Sequence, residues 1–494
     1  MTRELGRREF IQGAAVVSAG IAVGCGTSSG TSETGGLATG GTTAKKVVVI
    51  GGGAAGLAAA SAAMDAGYDV ILYEASERVG GRVWTRTFAN NGPVVDLGVA
   101  SFCIEHGHVA ALVDKYRLPI QVRPMSPSLV FLMSGQRLVG SESELLRSNQ
   151  MLPQLPPGAR GSSINELRAM YDVDKAPQLN VDEFNRWQTL RGTDTYINYL
   201  KSKGADESSC AAVTAHLGPR SAVAPAVSYA ARPIPESLRA VRYGLLDGMG
   251  SLTDAMAASL GSRVVSGTTA ISLSPNETDV IVRVRDKNGD SDVLADWVIS
   301  AIPAPQLVSL LKASGAYEQM PGWELFDAVK MVPQWKAAGT VDQPRWIELG
   351  VDGYAISKDD SGDATFYNPT GGRSGNFEVV VNTAHGSTYQ QLAALERDGR
   401  MTRFQANLGR AFPDSSISVK EYVECDWGNA PNIGGGYAKY GEQGGEYWAE
   451  VMAACCNLHG RLALAGDWTL TEQSLDSAIK SGERATRLIQ GLSS

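Results

Sequence analysis

Cysteine is scarce in this chain, basic charge is not in surplus and long apolar runs are missing, and each shortage removes a class of function. Six cysteines among 494 residues, irregularly spaced and without a Cys-x-x-Cys pair, frame neither a disulfide scaffold nor a zinc site. Adjacent Cys455 and Cys456 read as core residues. A net charge of −8 and a pI near 5.4 argue against broad nucleic-acid binding, which needs a concentrated basic surface to displace counterions. No internal repeat is visible. What remains is 43% hydrophobic and 19% charged, long enough for roughly two to four domains at about 150 residues each.

The first residues read as an address. Gly6-Arg7-Arg8-Glu9-Phe10-Ile11 resembles the twin-arginine export motif, and the weakly apolar stretch from Ala14 to Gly24 is shorter than the roughly 20 residues that span a bilayer. It closes on Ala22-Val23-Gly24-Cys25, similar to a bacterial lipobox with Ala22 where leucine is usual. Residues 1–24 are expected to be a signal peptide and residues 25–44 a flexible tether rich in Gly, Ser and Thr. The mature protein is then periplasmic or at the cell surface, held to the membrane through lipidated Cys25. Cleavage by an ordinary signal peptidase is the alternative.

Chemistry enters between Val47 and Arg82. The apolar run Val47 to Ile50 predicts a buried parallel strand, and the alanine-rich segment beyond Gly56 predicts the helix packed on it. In the turn between them, Gly51 permits the bend, Gly53 lets backbone approach a pyrophosphate, and Gly56 lets helix and strand touch; Ala55 lies in the same turn. The unpaired N–H groups of the helix N-terminus suit that anion. A second strand, Asp69 to Tyr73, ends at Glu74, 21 residues past Gly53 (74 − 53), close to the roughly 20 expected for the acid that holds a ribose hydroxyl. The ligand is a dinucleotide.

Arg78, Gly80, Gly81 and Arg82, followed by Asp96-Leu97-Gly98, resemble the extended FAD signature of the flavin amine oxidase superfamily, which includes monoamine, polyamine and L-amino acid oxidases. The resemblance implies an α/β fold: a split Rossmann-type FAD-binding domain over residues 45–124, 236–304 and 456–494, with an inserted α+β substrate domain over 125–235 and 305–455. Strand candidates lie around Val264 and Ala270, from Asp279 to Arg285 and from Val293 to Ile299. Near the end come the strand Leu462 to Ala465, the turn Gly466-Asp467, and a helix ending in Ser481-Gly482-Glu483-Arg484. The resemblance further implies that Arg82 balances phosphate charge, that the Ala270 backbone meets adenine, that Asp467 contacts the ribityl or pyrophosphate region, and that Gly98, Gly466 and Leu475 complete the FAD contacts.

For the reaction, the resemblance points to Lys330 in Val-Lys-Met-Val as the lysine that holds a water against flavin N(5), with Lys336 a surface neighbour. The family's aromatic after that lysine is displaced here: Trp335 is close and Trp346 lies sixteen residues on (346 − 330). Trp427 and Tyr437 fall in a segment similar to the substrate loop of monoamine oxidases, where a cysteine binding FAD covalently precedes the tyrosine. This chain has Gly436, so its FAD is expected to be noncovalent. The second tyrosine of the aromatic cage aligns near Ser474. No arginine follows Leu97-Gly98 to clamp a substrate carboxylate, which favours an amine without one unless Arg242 or Arg345 serves. Glu105, His106 and His108 lack the further ligands of a metal site, although Glu105 could face an ammonium group. The expected activity is oxidation of a C–N bond to an imine that hydrolyses, with dioxygen or another acceptor taking the electrons. Because Ala465-Gly466-Asp467-Trp468-Thr469 also resembles a desaturase motif, a C–C desaturase or isomerase is the alternative enzyme, and a non-catalytic FAD-binding lipoprotein the alternative outside catalysis.

Overall fold

The computed structural model describes residues 44–89, 92–103, 106–124, 129–133, 136–140, 144–145, 196–202, 204–207, 210, 241–315, 323–342, 351, 353–357, 364–367, 377–384, 386–413, 418–440, 445–470 and 473–491. Arg7, Arg8, Cys25, Glu105, Arg345 and Trp346 lie outside the described residues.

Five parallel strands form the central sheet: β1 (Lys46–Ile50), β2 (Asp69–Tyr73), β3 (Val264–Val265), β4 (Trp297–Ser300) and β5 (Leu462–Leu464), in the order β5-β4-β1-β2-β3. The two faces of β1 bury different partners, as side-chain alternation along a strand requires. Val47 and Val49 join a core containing α1 (Ala54–Asp65) and α3 (Leu475–Ile489), whereas Val48 and Ile50 join one containing α2 (Ala304–Ala313). A strand covered on both faces has to be apolar throughout, hence Val-Val-Val-Ile.

Small residues set how closely the helices approach. A Cβ on Gly56 would stand 1.8 Å from the Gly51 carbonyl oxygen, and one on Gly482 would stand 2.2 Å from the carbonyl oxygen of Ala55. Thr486 Oγ1 also donates to the Ala59 carbonyl at 3.1 Å, fixing α3 along α1.

A second sheet of seven strands is mixed, in the order 419–426, 335–342, 377–384, 364–367, 355–357, 129–133, 136–140. Helix Arg397–Ala411 packs Phe404 and Leu408 into a core with Trp335 and Tyr422. An antiparallel three-stranded sheet (Thr269–Pro275, Val280–Asp286, Gly289–Ala295) covers the α2 side of the central sheet through Leu273, Val280, Val282 and Val284.

Two element boundaries differ from expectation. The run Val293 to Ile299 splits at Asp296, whose carboxylate accepts from the Lys46 amide at 2.7 Å while its own amide donates to the Lys46 carbonyl; the chain thereby leaves the hairpin and enters β4. The last helix continues past Arg484 to Ile489, because Gly482 makes room for α1 instead of ending the helix.

Gly482→Ala should therefore force α3 off α1 and lower stability by about 1–3 kcal/mol, the usual range for overpacking. Thermal unfolding of the flavin-loaded variant checks this, and an unchanged midpoint would show that the two helices separate freely.

Candidate active site

The chain runs outward from β1 to β3 and then returns to the other side of β1 at β4, so the crevice between β1 and β4 is the topological switch point at which an open α/β sheet binds ligands. A cavity of about 630 Å³ opens there, at the carboxyl ends of these strands. Gly51, Gly53, Ala55, Glu74, Gly80, Gly81, Arg82, Gly98, Ala270, Trp427, Tyr437, Gly466, Asp467 and Leu475 all line it. Gly56 stands behind the wall as a packing contact.

The two glycines of the first turn do different work. Gly51 has φ +102°, in the left-handed region where a side chain is strained, and directs the chain from β1 into α1. Gly53 has ordinary backbone, and a Cβ there would meet nothing within 4 Å: its missing side chain is cavity space at the N-terminus of α1. Glu74 at the end of β2 accepts from the Gly52 amide at 2.6 Å and from the Ser76 amide at 2.8 Å. A carboxylate has about four acceptor positions, so capacity remains for ribose hydroxyls. Gln306 on α2 has its Oε1 buried in the cavity wall without a protein partner, an acceptor that a bound hydroxyl or amino group would satisfy. An anion-sized gap at a helix N-terminus, an acid at the ribose position and an orphaned acceptor all suit FAD.

Arg82 lines the cavity and also has a protein partner there. Its Nη1 donates to Asp467 Oδ2 at 2.9 Å, its Nη2 pairs with Asp467 Oδ1, and Nη1 also reaches the Gly436 carbonyl at 3.1 Å. The guanidinium is paired with a carboxylate, and the pair cancels the charge of an acid that would otherwise repel a phosphate. Arg78 braces the same turn, donating to the Gly81 carbonyl at 2.7 Å and lying over the Trp84 ring.

Trp427 is sealed in the wall: its Nε1 donates to the Leu97 carbonyl at 2.8 Å and its ring meets Trp84 edge to face. A Cβ on Gly436 would fall 2.4 Å from Gln334 Oε1, so Gln334 occupies the space that a cysteine side chain at this position would need.

The structure separates the two lysines in the opposite sense to the sequence reading. Lys330, on the short strand Val329–Val332, is exposed, bonds to the Asp327 carbonyl and does not line the cavity. Lys336 is 5% exposed, and its Nζ donates at 2.6 Å to the carbonyl of Gly98, a cavity residue. Strand alternation explains the difference. Trp335 faces the second core, whereas Lys336 and Ala338 face the opposite side, where Leu97 and Trp427 lie. The available signal was a lone lysine in the apolar run Trp-Lys-Ala-Ala, on a strand paired along both edges. Arg242 is half-buried on strand Val241–Leu245 and does not line the cavity. His108 Nδ1 pairs with Glu483 at 3.0 Å, and no three His, Cys, Asp or Glu among the described residues are grouped to hold a metal ion.

Residues 54–490 match the family of flavin containing amine oxidoreductases. The chain belongs to this family. It is 24% identical over 465 residues to the L-amino acid dehydrogenase of Synechocystis sp., covering 86% of this chain and 90% of that protein. It is also 24% identical to the flavin-dependent L-tryptophan oxidase RebO of Lentzea aerocolonigenes, covering 86% and 94%. Putrescine oxidase bound to putrescine has the same fold, with a TM-score of 0.70 at 20% identity over 90% of this chain and 99% of that one. So does cyclohexylamine oxidase from Brevibacterium oxydans, with a TM-score of 0.71 at 18% identity over 91% and 99%. The protein is an FAD-dependent oxidoreductase, and the residues that line its cavity suit that cofactor.

Gly53→Val should yield folded but colourless protein, since a Cβ there meets no protein atom within 4 Å and the added branch clashes only with the cofactor; normal flavin absorbance would refute the assignment. Acid precipitation of the wild type should leave the yellow cofactor in the supernatant, because Gly436 offers no thiol for a covalent link. Flavin retained in the pellet would contradict that.

Proposed function

We propose that this protein oxidises the C–N bond of a neutral amine lacking an α-carboxylate to an imine that hydrolyses, with dioxygen as the electron acceptor and hydrogen peroxide as the product. One observation carries the reading: among the described cavity residues, the charges are already matched. Arg82 is paired with Asp467, and Glu74 is held by the Gly52 and Ser76 amides. The guanidinium on this wall is paired with Asp467, and Glu74 keeps its remaining acceptor positions for ribose hydroxyls. Recognition falls to Tyr437, backed by the buried Trp427, and to neutral amide groups, which suit an uncharged amine.

Held by the Gly51–Gly56 turn, Glu74 and the first turn of α3, FAD would supply the redox chemistry, taking up a hydride equivalent from the carbon bearing the nitrogen. The protein holds the amine against the aromatic wall, keeps bulk water out with Trp427, and places the Lys336 ammonium behind Gly98, where it stabilises negative charge developing on dioxygen. The names of the two sequence relatives support a second reading, an L-amino acid substrate. An anaerobic panel of amines and L-amino acids, followed by flavin absorbance, separates the two. Bleaching by L-amino acids alone would overturn the proposal, and bleaching by neither would leave a protein that binds FAD without turnover.

Lys336→Met should keep FAD bound but slow flavin reoxidation about tenfold to a thousandfold, equivalent to roughly 1.4–4 kcal/mol of lost stabilisation. Lys330→Met should leave both half-reactions unchanged. Stopped-flow traces reporting the reverse pattern would return the role to Lys330.

The proposed location is outside the cytoplasm, with the protein lipid-anchored through Cys25, a reading supported by Arg7-Arg8 and the Ala22-Val23-Gly24-Cys25 segment. No helix of the described residues is long and apolar enough to cross a membrane. Replacing Arg7 and Arg8 with lysine should retain the enzyme in the cytoplasm, and Cys25→Ala should shift exported enzyme from the membrane to the soluble fraction. Unchanged fractionation of both variants would reject the address.

A further inference from the structure

One stretch of the cavity wall is held from outside the cavity. Strand Val419–Asp426 is fixed by its pairing with strand Trp335–Asp342 as far as Asp426 opposite Trp335; beyond it the chain leaves the sheet and runs along the cavity through Trp427, Pro431, Asn432, Ile433 and Gly436. The far end of this stretch is clamped, with the Gly436 amide donating to the Val332 carbonyl at 2.9 Å and the Gly436 carbonyl accepting from Arg82. Its near end depends on one carboxylate. Among the described residues, the hydrogen bonds of residues 428–434 run to Asp426 or stay within the stretch. Asp426 accepts from the Asn429 amide at 3.1 Å and from Asn429 Nδ2 at 2.8 Å, and its Oδ1 also accepts from the Tyr389 hydroxyl at 3.0 Å. Tyr389 belongs to helix Gly386–Ala393, packs its ring on the core of the second sheet and does not line the cavity.

We propose that Tyr389 is a positioning residue for the cofactor wall: its hydroxyl holds the Asp426 carboxylate in the orientation that folds the bend at residues 426–429, and through that bend sets where residues 430–436 lie against bound FAD. The inference rests on the fit of the cavity to FAD and is independent of which substrate the enzyme oxidises. Two features make the hold tight. A Cβ on Gly428 would stand 2.2 Å from the Tyr389 hydroxyl oxygen, so the tip of the ring occupies the space that the missing side chain leaves. Burial, reinforced by the neighbouring carboxylate, pushes the Tyr389 hydroxyl up to about 12, so it remains a donor at neutral pH. A hydrogen bond to a charged acceptor also fixes direction, which the apolar packing of Ala430 and Ile433 against Leu97 and Trp427 does not.

The test uses FAD-loaded full-length protein. Release of FAD is followed by the rise in flavin fluorescence on dilution, and the visible circular dichroism of bound flavin reports the asymmetry that the wall imposes on it. Tyr389→Phe keeps the ring and removes only the donor; it should speed release about threefold to thirtyfold and change the visible dichroism. Asp426→Ala should also speed release, and adding Tyr389→Phe to it should change the rate by no more than about twofold, because both substitutions break one bond. Gly428→Ala leaves both partners of that bond in place but displaces the hydroxyl, and should speed release as Tyr389→Phe does. Wild-type release and dichroism in Tyr389→Phe, or effects of Tyr389→Phe and Asp426→Ala that multiply in the double variant, would overturn the assignment. So would a lowered thermal midpoint in Tyr389→Phe without a change in release or dichroism, which would make the hydroxyl a contributor to stability alone.

Discussion

The pair between Arg82 and Asp467 is the interaction on which the cofactor site depends. It joins residues 385 apart in sequence, and the same guanidinium bonds the Gly436 carbonyl, so three separate stretches of chain meet at one side chain. A carboxylate facing a bound pyrophosphate would be repelled by it, and a partly buried guanidinium alone would carry a desolvation cost. Paired with two-pronged geometry, each removes the other's penalty. Breaking such a pair by removing one partner is more damaging than its net contribution suggests, because the survivor is left charged and buried.

Close backbone packing makes that meeting possible. The contact of Gly56 with the Gly51 carbonyl brings α1 down onto β1, and Gly482 lets α3 follow it. The N-terminal turn of α3, with Gln473 and Leu475, thereby reaches the same cavity as the N-terminus of α1. The second sheet supplies the opposite wall through one face of strand Trp335–Asp342, where Lys336 reaches Gly98. Chemistry therefore depends on the inter-element distances set by glycine, alanine and the alternation of a central strand.

Matched charges inside the cavity also shape what it can recognise. With Arg82 paired and Glu74 held by backbone amides, the wall contributes aromatic surface and amide dipoles in place of net charge.

By itself the sequence determined the dinucleotide turn, the acid at Glu74, the strands β1 and β2 and the glycine spacing, because these are local: each follows from a backbone bend, an apolar run or a fixed separation within some thirty residues. It also singled out Trp427, Tyr437 and Asp467, each anchored to a short motif, and all three line the cavity. Tertiary structure decided the rest. Lys330 and Lys336 are six positions apart, and both fall on strands. Only the pairing of strand Trp335–Asp342 along both edges, with Leu97 and Gly98 laid across one face, buries the second and leaves the first in solvent. The partner of Arg82 was likewise out of reach, because a guanidinium takes whichever anion the fold brings near it, and Asp467 arrives from the far end of the chain. The unpaired carbonyls of Gln306 and Gln473 carry no sequence signal at all: an amide is unsatisfied only relative to neighbours that the fold assembles.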